Sequence, residues 1–179
     1  MMQGEPKAYP GEVATSDDIR QLAEEYRGAA HDLMGRGKRG KPSSWAPARM
    51  TAIQAIELYL NALLLARGVK PAEIRGYQHD LRKRTANPAV AALRLRQRTL
   101  EHLGKLSEGR EYLSIRYGPE LSGNLSQLNR LIATLDEVAT KVCGALEKVN
   151  STPASKAATA RPAPSTAPAR AAAAVAALA

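Results

Sequence analysis

The sequence predicts an all-α fold, an antiparallel bundle of four to five helices. Apolar residues recur at helical spacing through most of the chain, no segment shows the strand-like alternation of apolar and polar residues, and no unit of about 20–50 residues repeats. The clearest helix is the last. Its single apolar stripe contains Leu125, Leu128, Leu131, Ile132, Leu135, Val138, Val142, Cys143, Leu146 and Val149.

Composition divides the 179 residues into three parts. Residues 1–15 form a loose leader containing glycine and proline, and residues 16–150 hold the bundle. Residues 151–179 are a low-complexity Ala/Pro-rich tail with almost nothing to bury, so we expect disorder there. No signal peptide is evident and no apolar run reaches about 18 residues, which predicts a cytoplasmic protein that makes no membrane contact.

Helix-capping and helix-breaking residues predict where the helices before the last one begin and end. Ser16 or Asp17 suits the start of a first helix, whose apolar face holds Ile19, Leu22, Ala23, Tyr26, Ala30 and Leu33. After a basic loop at residues 35–42, Ser43 or Ser44 suits the start of a central helix and Gly68 its end. A short helix is expected at Pro71, a fourth over residues 89–106, and a compact aromatic stretch over residues 112–119.

The central helix carries a carboxylate within its apolar face. At about 100° per residue, one arc contains Met50, Ile53, Ile56, Leu60, Leu63 and Leu64, and Glu57 falls inside it. Leu58 and Leu65 lie on another side, so the helix is expected to be covered on more than one face. A buried carboxylate needs a donor such as His79 or an arginine, whereas a carboxylate at the edge of the stripe reaches water. Both interpretations stay open.

The net charge of +9 favours contact with phosphates without requiring it. The tail holds three cations (Lys156, Arg161 and Arg170) and no acid, so the rest of the chain carries 9 − 3, or +6. Lysines and arginines gather at residues 36–41, 82–84 and 94–98. Such clusters can bind phosphate backbones, but basic surface is common, and the chain has no phenylalanine to stack on bases.

Two motifs resemble the HEPN superfamily, the "higher eukaryotes and prokaryotes nucleotide-binding" helical domains. One is the run Ala55-Ile56-Glu57-Leu58-Tyr59-Leu60-Asn61-Ala62-Leu63-Leu64-Leu65 followed by Gln78-His79-Asp80-Leu81. The other, Tyr112 with Ile115-Arg116-Tyr117-Gly118-Pro119, is similar to the aromatic segment of a bacterial subgroup. The resemblance spans residues 17–149. Asn61 stands where the family usually has lysine, and Gln78 where it usually has glycine.

The resemblance implies a helical module that forms a homodimer through its long helices. It implies binding of a nucleotide, RNA or a partner protein, for which a nucleotidyltransferase-like protein is a candidate. Residues expected to line a binding pocket are Glu57, Asp80, Tyr112, Arg116 and Tyr117. We expect no cofactor and no metal, because the sequence has no glycine-rich phosphate loop after a strand and no metal-spaced His/Cys cluster.

Ribonuclease activity is the alternative that the resemblance implies. Ribonucleases of this superfamily carry an arginine, then about four to six intervening residues, then a histidine, and these supply a cation for the phosphate and a base for the 2′-hydroxyl. Three pairs in this chain are close to that spacing, each with three intervening residues: Arg27 and His31, Arg75 and His79, Arg98 and His102. In this alternative Arg75 and His79 are catalytic. The interpretation that we favour is non-catalytic.

His79 also has a structural interpretation, in which it bonds Glu57 or a helix end while Asp80 caps the next turn. Arg116 would then be the partner of Glu57 or Asp80, so that a buried polar network joins three helices. His31 and His102 fall outside the apolar faces of their helices, and we expect both to be solvated. The single cysteine, Cys143, excludes an internal disulfide and is expected in the core.

Overall fold

The structure, a computed structural model, describes residues 9–151. The first eight residues of the expected leader and the predicted disordered tail from residue 152 lie outside the described residues. The described part is helical and contains no strand, which confirms the all-α prediction. Its helices are α1 (Ser16–Met34), α2 (Ala46–Ala66), α3 (Pro71–Gly76), α4 (Leu81–Ala86), α5 (Pro88–Ala91), α6 (Gln97–Glu108), α7 (Glu111–Tyr117) and α8 (Leu128–Ser151), with 3-10 helices at Pro42–Trp45 and Pro119–Asn124.

The four longest helices, α1, α2, α6 and α8, form the bundle. Ser16 at the start of α1 donates to the carbonyl of Ala62 near the end of α2, so these two helices run antiparallel. Along α1, Glu24 contacts Cys143 and Arg27 contacts Asp136, so α1 runs antiparallel to α8. Along α6, Thr99 contacts Glu137 and His102 contacts Thr134, so α6 also runs antiparallel to α8. The helices α2 and α8 therefore point in one direction, and α1 and α6 in the other.

The central helix α2 is the core of the bundle. It packs most extensively against α1 and then against α8. Ile56, Leu60, Leu63 and Leu64 are fully buried on one face of the helix, and Leu58 and Ala62, on the opposite side, are buried as well. The expectation that α2 is covered on more than one face is therefore confirmed. Each such leucine or isoleucine side chain contributes about 1.5–3 kcal/mol through burial.

Two helix starts differ from the prediction. Thr15, not Ser16 or Asp17, caps α1, because Thr15 and Asp18 satisfy each other's backbone N–H groups in a capping box. The start of α2 lacks a serine cap, since the 3-10 helix Pro42–Trp45 leads directly into it. Ser44 donates to the carbonyl of Lys41 instead, at 2.6 Å.

The predicted helix over residues 89–106 is wrong. α5 ends at Ala91, the chain turns through Arg94 with a φ of 50°, and α6 begins at Gln97. The cause lies in α8, where the Glu137 carboxylate accepts the backbone N–H of Arg96 at 2.8 Å and the hydroxyl of Thr99 at 2.5 Å. A side chain distant in sequence thus caps α6 and fixes its start. None of the helices within residues 9–151 has the length and apolar character that crossing a membrane requires.

A left-handed residue joins α3 to α4. Gln78 has a φ of 48°, a conformation that costs residues other than glycine about 1–2 kcal/mol. Its N–H bonds the carbonyl of Arg75 at 2.9 Å, which closes the turn. Gln78 stands where the motif that the chain resembles has glycine. The turn carries His79 from the end of α3 back to α2.

We predict that Gln78→Gly raises the free energy of unfolding by up to about 1 kcal/mol. The relief of the left-handed strain, about 1–2 kcal/mol, exceeds the entropic cost of glycine, about 0.5–1 kcal/mol. Urea unfolding followed by circular dichroism measures the change. The matched control is Glu25→Gly at an exposed position within α1, which should lower stability by about 1 kcal/mol. Destabilisation by both variants would contradict the prediction.

Candidate ligand-binding site

The Glu57 carboxylate lies buried on α2 and is paired. Its side chain is 6% exposed. The Nδ1 atom of His79 lies 3.1 Å from both carboxylate oxygens, and Nη2 of Arg84 lies 3.9 Å from Oε2. The prediction that Glu57 is buried against His79 or an arginine is confirmed with both partners present. The alternative, in which Glu57 reaches water, is wrong.

Burial sets the electrostatics of this pair. Desolvation raises the pKa of Glu57, while the charges of Arg84 and His79 act in the opposite direction. Desolvation also lowers the pKa of Arg84, which is 3% exposed. Arg84 donates from Nε to Oδ1 of Asn61 at 2.9 Å and from Nη1 to the carbonyl of Asp80 at 3.2 Å. These bonds hold the guanidinium in place beside Glu57.

His79 is fixed on two sides. Glu57 orients the ring through Nδ1, and the ring lies against Tyr112 with 4.4 Å between ring centroids. Asp80 caps α4 by accepting the N–H of Lys83 at 3.0 Å. Both contacts of the structural interpretation, His79 with Glu57 and Asp80 at the helix start, are confirmed. The His79 side chain is nevertheless 41% exposed, so one edge of the ring remains accessible.

A cavity of about 510 Å³, the first cavity, opens beside this pair. Three basic side chains line it, Arg75, His79 and Arg84, and its lining within the described residues contains no carboxylate side chain. Asn61 adds an amide and Tyr9 an aromatic ring. Apolar side chains from α1, α2 and α3 supply much of the remaining wall. A mostly apolar cavity with a few convergent polar groups is typical of small-molecule sites, and basic groups among them favour an anionic ligand.

The segment before α1 forms one wall of the first cavity. Arg75 makes an ion pair with Glu12, and its guanidinium lies 4.6 Å above the ring of Tyr9. Arg75 and His79, the residues of the ribonuclease alternative, therefore line the same cavity. They do not share a continuous helix, because α3 ends at Gly76 and the chain then turns through Gln78.

The five residues that the sequence predicts to bind a ligand are not part of this lining. None of Glu57, Asp80, Tyr112, Arg116 and Tyr117 lines the first cavity. The prediction that Arg116 is the partner of Glu57 or Asp80 is wrong, because Arg84 occupies that place. Arg116 is exposed, lies 5.5 Å above the ring of Tyr117, and affects Glu57 only through charge attraction. Tyr117 is itself 71% exposed.

Sequence reasoning missed Arg84 and Asn61. The sequence places Arg84 beside Arg82 and Lys83 in a basic run, which is typical of a surface cluster. A signal was present, since Leu81 and Arg84 are three residues apart and share one face of α4. Leu81 is buried, so Arg84 is buried with it.

His102 is not solvated, contrary to the prediction. It is 5% exposed, and its Nδ1 lies 2.8 Å from the hydroxyl of Thr134 on α8. Burial, together with the charges of Arg130, Lys105 and Arg49, lowers the pKa of His102 to about 4. A buried imidazole with that pKa is a weak general base at neutral pH.

The remaining arginine–histidine pair, Arg27 and His31, shares one carboxylate as its partner. Arg27 and His31 each lie 3.0 Å from Oδ1 of Asp136 on α8. His31 is exposed, as predicted. These two contacts therefore join α1 to α8 at the surface of the bundle.

A scan against protein-family models gave no match, and searches of curated proteins and of solved structures gave none either. The HEPN resemblance therefore depends on the motifs of this chain alone. Within residues 9–151, no group of three or more His, Cys, Asp and Glu side chains is arranged to hold a metal ion.

We predict that Glu57 and Arg84 are strongly coupled. Arg84→Met leaves a buried carboxylate with His79 as its remaining partner, and should lower the free energy of unfolding by about 3–5 kcal/mol. Adding Glu57→Gln removes that charge, so the double variant should cost less than the sum of the single variants. The control, Arg82→Met at an exposed position of α4, should cost less than about 1 kcal/mol. Additive effects in chemical denaturation would refute the coupling.

The low pKa of His102 predicts a pH dependence of stability. The histidine of the unfolded chain takes up a proton near its ordinary pKa of 6.5, while the folded chain does so only near 4. The contribution of His102 is therefore complete above pH 6.5 and is lost as the pH falls toward 4. Unfolding titrations in buffers free of phosphate should show this loss, and His102→Gln should reduce it. An unchanged slope in the variant would contradict the assignment.

Proposed function

We propose that this chain is a non-catalytic HEPN-like helical module that binds a nucleotide or the phosphate of RNA in the first cavity. The observation that carries the proposal is the cavity's lining, in which three basic groups converge and carboxylates are absent among the described lining residues. Its volume of about 510 Å³ lies within the range of about 300–1,000 Å³ that is usual for sites of drug-sized ligands.

The basic groups have distinct roles in this proposal. Arg84 is held by Glu57 and Asn61, and Glu57 offsets its charge, so Arg84 contributes a rigid polar wall rather than net positive charge. His79 is oriented by Glu57 through Nδ1, and in its imidazolium form the Nε2–H at the accessible ring edge donates to a phosphate oxygen. Arg75 is paired with Glu12 only at the surface, where an ion pair contributes about 0–1 kcal/mol, so a phosphate competes with Glu12 for the guanidinium.

The apolar part of the first cavity suits the base or ribose of a nucleotide. Leu58, Leu65 and Ile74 belong to the lining, and the ring of Tyr9 stands beside Arg75. A nucleobase stacks on aromatic or guanidinium planes, which supports nucleotides over inorganic anions as the ligand class. Homodimerisation and a nucleotidyltransferase-like partner stay predictions from the resemblance.

One observation favours the metal-independent ribonuclease as a second candidate. A carboxylate bonded to one imidazole nitrogen fixes the tautomer and direction of the ring, as a general base requires, and Glu57 does this for His79. Against it, the Glu12 carboxylate offsets the positive charge of Arg75, the cation that would stabilise the transition state. The spacing from Arg75 to His79 is also shorter than in the ribonucleases that the chain resembles.

We predict that the full-length protein binds nucleoside monophosphates and a short RNA, measured by calorimetry at fixed ionic strength. Arg75→Ala and His79→Ala should each weaken binding about tenfold, which corresponds to about 1.4 kcal/mol and fits a charge-assisted hydrogen bond. Glu12→Gln should strengthen it several-fold by releasing Arg75. The control, Lys83→Ala, removes an exposed cation outside the cavity.

Two outcomes would overturn this proposal. Equal effects of Arg75→Ala, His79→Ala and Lys83→Ala would show that binding does not occur in the first cavity. RNA cleavage that persists in EDTA and disappears in His79→Ala would establish the ribonuclease alternative instead. Circular dichroism of every variant verifies that the helical fold is retained.

A further inference from the structure

A second cavity, of about 300 Å³, lies between α6 and the start of α8, away from the first cavity. Arg98, His102 and Lys105 belong to one face of α6, at spacings of four and three residues. Arg130 comes from the first turn of α8, and Ser126 and Gln127 precede that helix. None of these residues lines the first cavity.

The second cavity is strongly basic. Arg98, Lys105 and Arg130 line it, against the single carboxylate of Glu101. Glu101 is exposed and accepts the side-chain amide of Gln97 at 3.1 Å. The guanidinium of Arg130 donates to the carbonyl of Arg98, so it spans the gap between the two helices. Two positive charges therefore remain in excess among the lining side chains.

His102, which belongs to the lining of the second cavity, has a buried polar atom without a partner. Nε2 of His102 is buried and has no hydrogen bond within the described residues, while Nδ1 is occupied by Thr134. Native structures rarely leave a buried polar atom unpaired, so such an atom calls for an explanation. Of the two neutral tautomers, the one whose Nδ1 accepts the Thr134 hydroxyl carries its proton on Nε2, which is then a hydrogen-bond donor.

A buried ion pair holds the segment before α8, which forms the wall of the second cavity opposite α6. Arg49 is buried, bonds Glu111 at 2.9 Å and donates to the carbonyl of Ser126. The Ser126 N–H donates to the other Glu111 oxygen at 3.2 Å. This buried pair fixes the approach to α8, whose first backbone N–H groups have no carbonyl partner within the helix and favour an anion.

We propose that the second cavity binds a phosphate group through Arg98, His102, Lys105 and Arg130. Its volume of about 300 Å³ is at the lower limit for whole small-molecule ligands, so it suits a phosphate group better than a complete nucleotide. The group is either inorganic phosphate or a phosphate ester of a nucleotide or RNA. His102 acts as a donor to an oxygen of the phosphate and performs no proton transfer.

The test is a titration of the full-length protein, observed through the ring nitrogens of its three histidines by long-range ¹H–¹⁵N NMR. His102→Gln assigns the His102 signals. Inorganic phosphate, adenosine monophosphate and a short RNA are added separately, with sodium chloride holding the ionic strength constant. We expect a saturable shift of the His102 signals. A response to inorganic phosphate shows that a free phosphate group suffices, and a response to the esters alone identifies the ester as the ligand.

Matched variants make the outcome decisive. Arg130→Gln should weaken binding at least about fivefold, and Glu101→Gln should strengthen it by a similar factor. Arg39→Gln removes the same charge from an exposed loop and should leave the affinity unchanged. No saturable shift with any of the three ligands, or equal weakening by Arg130→Gln and Arg39→Gln, would overturn the proposal. Arg75→Ala should not alter the His102 response. Failure of ligand binding at the first cavity can therefore be distinguished from failure of phosphate binding at the second.

Discussion

A carboxylate buried on the central helix is the constraint on which the candidate site depends. α2 is enclosed on several sides, so Glu57 cannot reach bulk water. Keeping it charged requires hydrogen-bond donors beside it, and both partners, His79 and Arg84, come from the chain that follows α3. Arg84 is buried on α4, and His79 lies in the turn before that helix. The pairing thus fastens a short, irregular part of the chain to the core, and the same pairing directs basic groups toward the first cavity.

The basic residues of this protein have two different structural roles, which the sequence alone does not distinguish. Some are buried in the bundle and balance acids, as Arg84 does for Glu57 and Arg49 for Glu111. Others, such as Arg98 and Arg130, line a cavity where acids are scarce. Because a buried ion pair leaves little net charge, only the second kind contributes an attractive field for phosphates. A basic run in the sequence therefore overstates the positive surface that a ligand meets.

Gln78 and His79, which belong to the motif that resembles the HEPN superfamily, both have structural roles in this fold. The His-Asp-Leu turn brings His79 to Glu57, and Gln78, at the motif's glycine position, has the positive φ that glycine adopts most easily. These contacts explain why such a motif would hold a fold together whether or not the protein has an enzymatic activity. They give Glu57 a structural role that precedes any role in binding.

The sequence by itself determined the helical class, the position of α2 and the need of Glu57 for a partner, because apolar periodicity and the cost of burying a charge are local properties. Only the tertiary structure decided that Arg84 rather than Arg116 is that partner. It likewise decided that His102 is buried and that α6 begins at Gln97, where Glu137 of α8 caps the preceding backbone. Each of these outcomes depends on contacts between residues more than twenty positions apart. No local pattern encodes which helix face will meet which neighbour, and the two cavities exist only because those faces met.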